Sequence, residues 1–164
     1  MRLRLALAGV LAAAAVVAVP AAASADTGTL YQVTGTEIAF TSTEGHFVGY
    51  ALGSDQSAGA FDAVVDHQPL GTTSSPAITG GTFSLGALGP SGVTSLTGTF
   101  SGGTITPENP GANCTNQTFA VDGTVSLAGG GTGTFDVTLT HHRFRLFTAC
   151  ITYAGTISGT LTVP

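Results

Sequence analysis

The segment CITYAGTISGTLTV, Cys150 to Val163, alternates with a period of two. Ile151, Tyr153, Ile157, Leu161 and Val163 share one parity, while Thr152, Thr156, Ser158, Thr160 and Thr162 share the other. Successive side chains along a strand point to opposite faces, so this segment reads as a β-strand with one buried face and one wet face. Upstream, the same alternation recurs in TLYQVTGTEIAF, HFVGYAL, AGAFDAVVDH, AITGGTFSL, GVTSLTGTFSGGTIT, QTFAVDGTVSL and GTGTFDVTLTHHRFRLF. No window past residue 25 carries the three-and-four apolar spacing of an amphipathic helix. Eight such segments in one chain predict an all-β fold, an eight-stranded antiparallel β-barrel, with a two-sheet β-sandwich as the alternative.

A short phrase punctuates these strands. GAF at 59, and GTF at 81, 98 and 133, each set a Phe two places after a Gly. The spacing is irregular, which excludes a solenoid of fixed period and leaves a recurring hairpin device in strongly curved sheet. TPENPGANCTNQ, Thr106 to Gln117, reads as the main irregular loop, because its prolines cannot donate to a ladder.

At the other end of the chain, Arg2 and Arg4 precede an apolar run from Leu5 to Val19, then Pro20 and the small residues Ala23, Ser24 and Ala25. This is the pattern of a secretory leader over residues 1–25, which leaves residues 26–164 as a single all-β domain exported by what reads as a bacterial cell. Losing the two leader arginines takes the formal charge from −5 to −7, so the domain as a whole offers no attraction to nucleic acid or anionic membrane. Cys114 and Cys150 are the only cysteines, and in an oxidising compartment they are expected to form one disulfide.

The run GGGTGTF, Gly129 to Phe135, resembles the late hairpin of allene oxide cyclase and dirigent-like proteins through Gly130, Gly131, Gly133 and Phe135. That resemblance implies a secreted or organelle-targeted eight-stranded barrel around a largely apolar cavity, which holds a small organic molecule and either cyclises it or steers radical coupling. No catalytic residue carries over. Asp136, Val137, Thr138 and Leu139 are bulkier than the small residues the family places after the Phe.

The chemistry of the chain concentrates in HHRFR, His141 to Arg145, which holds two of the four histidines and the only cations beyond the leader. Without a bulge, His141, Arg143 and Arg145 share the face that buries Phe135 and Val137, at one end of the core. A bulge near His142 reverses this, sending Phe144 and Leu146 inward, and their need for burial favours that reading. Inward arginines would need carboxylate partners, for which Glu37, Asp62, Asp66 and Asp122 are candidates. The adjacent histidines point to opposite faces and offer no metal-ligand spacing, so neither metal nor cofactor is expected.

These readings lead to a ligand-binding module whose interior holds a small organic molecule, anionic or hydroxylated, near Tyr50, His141, Arg143 and Arg145. A cofactor-free isomerase or cyclase with His141 as acid or base is the second hypothesis. A structural or adhesive extracellular protein without a pocket is the third.

Overall fold

The computed structural model describes residues 28–70 and 74–164. The leader expected over residues 1–25 lies outside the described residues. Eight strands follow in chain order: β1 (Thr29–Phe40), β2 (Glu44–Gly53), β3 (Ala58–His67), β4 (Ala77–Gly89), β5 (Gly92–Asn109), β6 (Gln117–Leu127), β7 (Thr132–Leu146) and β8 (Ala149–Val163). A single 3-10 turn, Ala112–Cys114, interrupts the loop between β5 and β6.

Each strand pairs antiparallel with the next, and β1 pairs with β8, which closes the sheet into a barrel. Closure removes the two-sheet alternative. It also leaves no free edge, since the backbone donors of the first and last strands satisfy each other.

The alternation read from the sequence sorts the side chains. On β7, Phe135, Leu139 and His141 are buried, while Thr134, Asp136 and Thr138 are exposed. On β8, Ile157 and Val163 face inward, with Thr156 and Ser158 outside. The wet face is largely threonine, which suits an exposed pleat through its β-branch.

The GxF phrase has a packing explanation. Phe61, Phe83 and Phe135 each lie directly across from a glycine on the neighbouring strand: Gly49, Gly98 and Gly123 respectively. A Cβ at those glycines would sit 2.7, 2.6 and 2.8 Å from the phenyl ring opposite it. The ring therefore occupies the volume its partner lacks, which lets a large aromatic lie flat against a curved wall. In the β6–β7 turn, Gly130 and Gly131 adopt φ of 92° and 94°, a region that side-chain-bearing residues avoid.

The two ends of the barrel differ. One end is sealed by Tyr31, Ala51, Leu85, Ala87 and Val163, all essentially removed from solvent. The other end carries the β1–β2, β3–β4, β5–β6 and β7–β8 connections. Cys114 and Cys150 form a disulfide there, tying the β5–β6 loop to the start of β8.

Candidate functional site

The interior between the sealed end and the loops is not filled. A cavity of about 480 Å³ runs through the barrel, within the range of small-molecule sites. Its wall is almost wholly apolar, with Phe47, Phe83, Phe100 and Phe135 among the lining residues, and Phe40, Thr41, Ser42 and Leu70 at the loop end.

A buried polar pair interrupts that wall, whose other polar side chains are Thr41, Ser42, His67 and Thr160. His141 Nε2 lies 2.9 Å from Glu37 Oε2, with side chains only 8% and 3% exposed. A carboxylate accepts only, so the imidazole N–H donates. The His141 ring is held between two phenyl groups, stacked on Phe40 at 5.7 Å and edge-on to Phe119 at 5.4 Å between centroids.

The register explains how residues so far apart in sequence meet. Glu37 on β1 and His141 on β7 are both opposite the same residue of β8, Gly155. The three form one cross-strand row, and two strand spacings amount to about 9.6 Å between the outer backbones. With no side chain on Gly155, the carboxylate and the imidazole bridge that gap. A Cβ there would overlap the Glu37 carboxylate and lie 2.8 Å from Glu37 Cβ.

Neither Glu37 Oε1 nor His141 Nδ1 hydrogen-bonds to any of the described residues, and neither is buried without a partner. Both atoms belong to residues that line the cavity. With the Nε2 proton held on the carboxylate, Nδ1 of a neutral imidazole carries a lone pair. The pair thus offers an occupant one acceptor nitrogen and one carboxylate oxygen.

The other expected site residues lie elsewhere. Tyr50 is 55% exposed on the outer face of β2, where its neighbours Phe47 and Ala51 point inward. Arg143 and Arg145 follow the same parity as His141 along β7, but the barrel wall ends at His141. A bulge does fall between His142 and Arg143, yet the extra residue is Tyr153 of β8, so β7 keeps its alternation. Past the rim, Arg143 Nη1 donates to the Gly111 carbonyl at 3.3 Å, and Arg145 is exposed. Phe144 and Leu146 are exposed as well, so neither face of this hairpin enters the core.

The remaining histidines are accounted for. His142 points outward, accepting from Asn116 Nδ2 at 3.2 Å and donating through Nε2 to Thr156 Oγ1 at 3.1 Å. His46 pairs with Asp62 on the outer face at 3.0 Å. His67 lines the loop end of the cavity and donates Nδ1–H to the Gln68 carbonyl at 2.8 Å. Among the described residues no three His, Cys, Asp or Glu side chains converge as metal ligands would.

Of the candidate acids Glu37, Asp62, Asp66 and Asp122, Glu37 is the one that meets the cluster, and its inward face is legible in TLYQVTGTEIAF. Tyr31, Val33, Gly35 and Glu37 share one parity, and the first two are core residues. Compared with protein-family models, with curated proteins and with solved structures, the chain has no match.

Proposed function

We infer that the protein is an exported carrier or receptor for a small, mainly apolar molecule bearing one hydrogen-bonding group. The observation that carries this is the cavity of about 480 Å³, whose wall is almost wholly apolar and holds Glu37 and His141 together as a buried polar pair. An apolar enclosure with one convergent polar group is the usual form of a small-molecule site. The leader read in residues 1–25 and the Cys114–Cys150 disulfide both support export.

The pair also shapes what would bind. Both arginines lie beyond the rim, so the cavity wall holds a carboxylate and no guanidinium. A hydroxyl or amide fits this better than an acid: its donor meets Glu37 Oε1 or His141 Nδ1, whereas a second carboxylate would face the first. The ligand class accordingly narrows to the neutral, hydroxylated alternative.

The experiment is native mass spectrometry of the exported protein from its producer's medium, alongside titration with the neutral fluorophore N-phenyl-1-naphthylamine. A retained adduct, or saturable one-to-one fluorescence enhancement lost on Ala63→Phe within the cavity, is the expected result. A bare mass together with no saturable probe binding refutes the reading.

A second reading, a cofactor-free proton-transfer enzyme, is supported by His141 Nδ1, which belongs to a cavity-lining residue and makes no hydrogen bond among the described residues. A base held by a buried carboxylate is a familiar arrangement for acid–base catalysis. It predicts that His141→Gln keeps ligand binding while the retained molecule is no longer converted.

A further inference from the structure

The β7–β8 hairpin continues well past the point where it contributes to the core. His141 is the last buried residue of β7, and Phe147 stands six residues further on, about 20 Å along the strand at about 3.3 Å per residue. This extension carries Phe144, Leu146, Phe147, Ile151 and Tyr153, all at least one-third exposed, and Phe147 is 89% exposed. Phe144 and Tyr153 pack on each other across the strands at 5.8 Å, so part of the apolar surface is preassembled.

Phe147 is also costly where it is. It has φ of 53° at the first of the two residues joining the strands, and Thr148 after it is not positive. That sign pattern belongs to a type II′ turn, whose first central position favours glycine. A bulky aromatic in the left-handed region is strained, and one that is also exposed gains nothing from the core in return. Folding alone would place Gly at 147.

The hairpin further carries every cation of the chain beyond residue 4, Arg143 and Arg145. Among the described residues neither forms an ion pair. The extension is braced along its length: Asn116 Oδ1 accepts from the Arg143 N–H at 3.2 Å and Arg143 holds Gly111 near the base, and Cys150, opposite Arg145 towards the turn, is bonded to Cys114. A rigid, apolar, aromatic apex with two unneutralised arginines behind it projects from the end where the cavity opens.

We propose that this hairpin docks the barrel on an anionic lipid surface, with Phe147 entering the interface and the exposed Arg145 meeting the headgroups. The domain's acidic body works against a general attraction, but charges are screened beyond about 8 Å at physiological salt, and Arg145, four residues past His141, stands about 13 Å out at about 3.3 Å per residue. Aromatic rings and arginine stems favour the headgroup level of a bilayer, where one end of the side chain is apolar and the other wet. A second copy of the chain is a poorer occupant, because a two-fold contact through this apex would bring the arginine pairs face to face. The docking stands whether or not the cavity holds a ligand.

The test uses the chain from residue 26 with its disulfide intact, floated with vesicles of phosphatidylcholine alone or mixed with phosphatidylglycerol. Binding is expected to the mixed vesicles and to weaken with added salt. Phe147→Gly relieves the turn, so its thermal midpoint is expected to hold or rise while vesicle partitioning falls by at least about tenfold. Arg145→Gln is expected to lower partitioning to anionic vesicles about fivefold, with no change on neutral ones. Undiminished binding by Phe147→Gly, absence of binding by the parent chain, or a self-association that Phe147→Gly abolishes would each overturn the proposal.

Discussion

Replacing His141 with leucine isolates the energetics of the site. The substitution nearly preserves volume but leaves the Glu37 side chain, 3% exposed, without its partner. Breaking a buried pair by removing one member costs about 3–5 kcal/mol, because the remaining charge stays desolvated.

The penalty for His141→Leu is therefore about 3–5 kcal/mol, a fall in Tm on the order of 10 °C for a domain of this size. Urea unfolding of parent and variant at pH 7 measures the difference. A deficit below about 1 kcal/mol would refute the argument and reduce His141 to packing.

Other outcomes follow from the same geometry. Gly155→Ala forces a methyl against Glu37 and is expected to lower stability by about 1–3 kcal/mol in urea unfolding, an unchanged midpoint being inconsistent with the cross-strand row. Asp55 accepts hydrogen bonds from the Ser57 hydroxyl and from its N–H at 3.0 Å, which hold its carboxyl below the usual range. The stability this contributes is present above the unfolded value and is lost as pH falls through the lowered one; Ser57→Ala should move the Asp55 titration upward by NMR. Replacing Cys114 and Cys150 together by serine opens a loop with a sequence separation of 36, for an expected loss of roughly 4 kcal/mol on the chain-entropy account, checked by calorimetry.

Period two told which side of each strand a residue takes, and it told this well. The eight alternating segments correspond to the eight strands, because alternation follows directly from the pleat. Closure was beyond it: a sandwich and a barrel share the same alternation, and the difference is the β1–β8 pairing between the chain's first and last strands. Strand parity also says nothing about where the wall stops. Arg143 and Arg145 keep the inward parity of His141, yet β7 outruns the barrel, so their side of the strand looks onto the disulfide loop instead of the cavity.

Tyr50 is a different case. It sits mid-strand with a polar tip, which does not fix its face: Phe47 and Ala51 point inward and Tyr50 outward. The inward Gly49 between them leaves room that Phe61 of β3 fills, a cross-strand exchange of volume invisible to a reading of one strand. The inward face of Glu37 is legible in its own strand, but its partner is not, since His141 becomes reachable only over Gly155.

That last arrangement bears on why the pair exists. Isolated stability does not call for it, since replacing both members of a buried hydrogen-bonded pair by well-packed apolar residues is often neutral or stabilising. Here three adjacent strands contribute one residue each, and the middle one is the glycine that lets the outer two touch over the cavity. A row of aliphatic side chains would seal the wall with less constraint. Glu37→Leu with His141→Leu tests the difference directly: the double variant should recover most of the stability lost by His141→Leu alone, and fail to bind a hydroxylated occupant. If it folds as well as the parent and binds as well, the polar row serves neither purpose. If it fails to fold, the pair is structural after all, and the case for a polar contact with a ligand rests on the cavity alone.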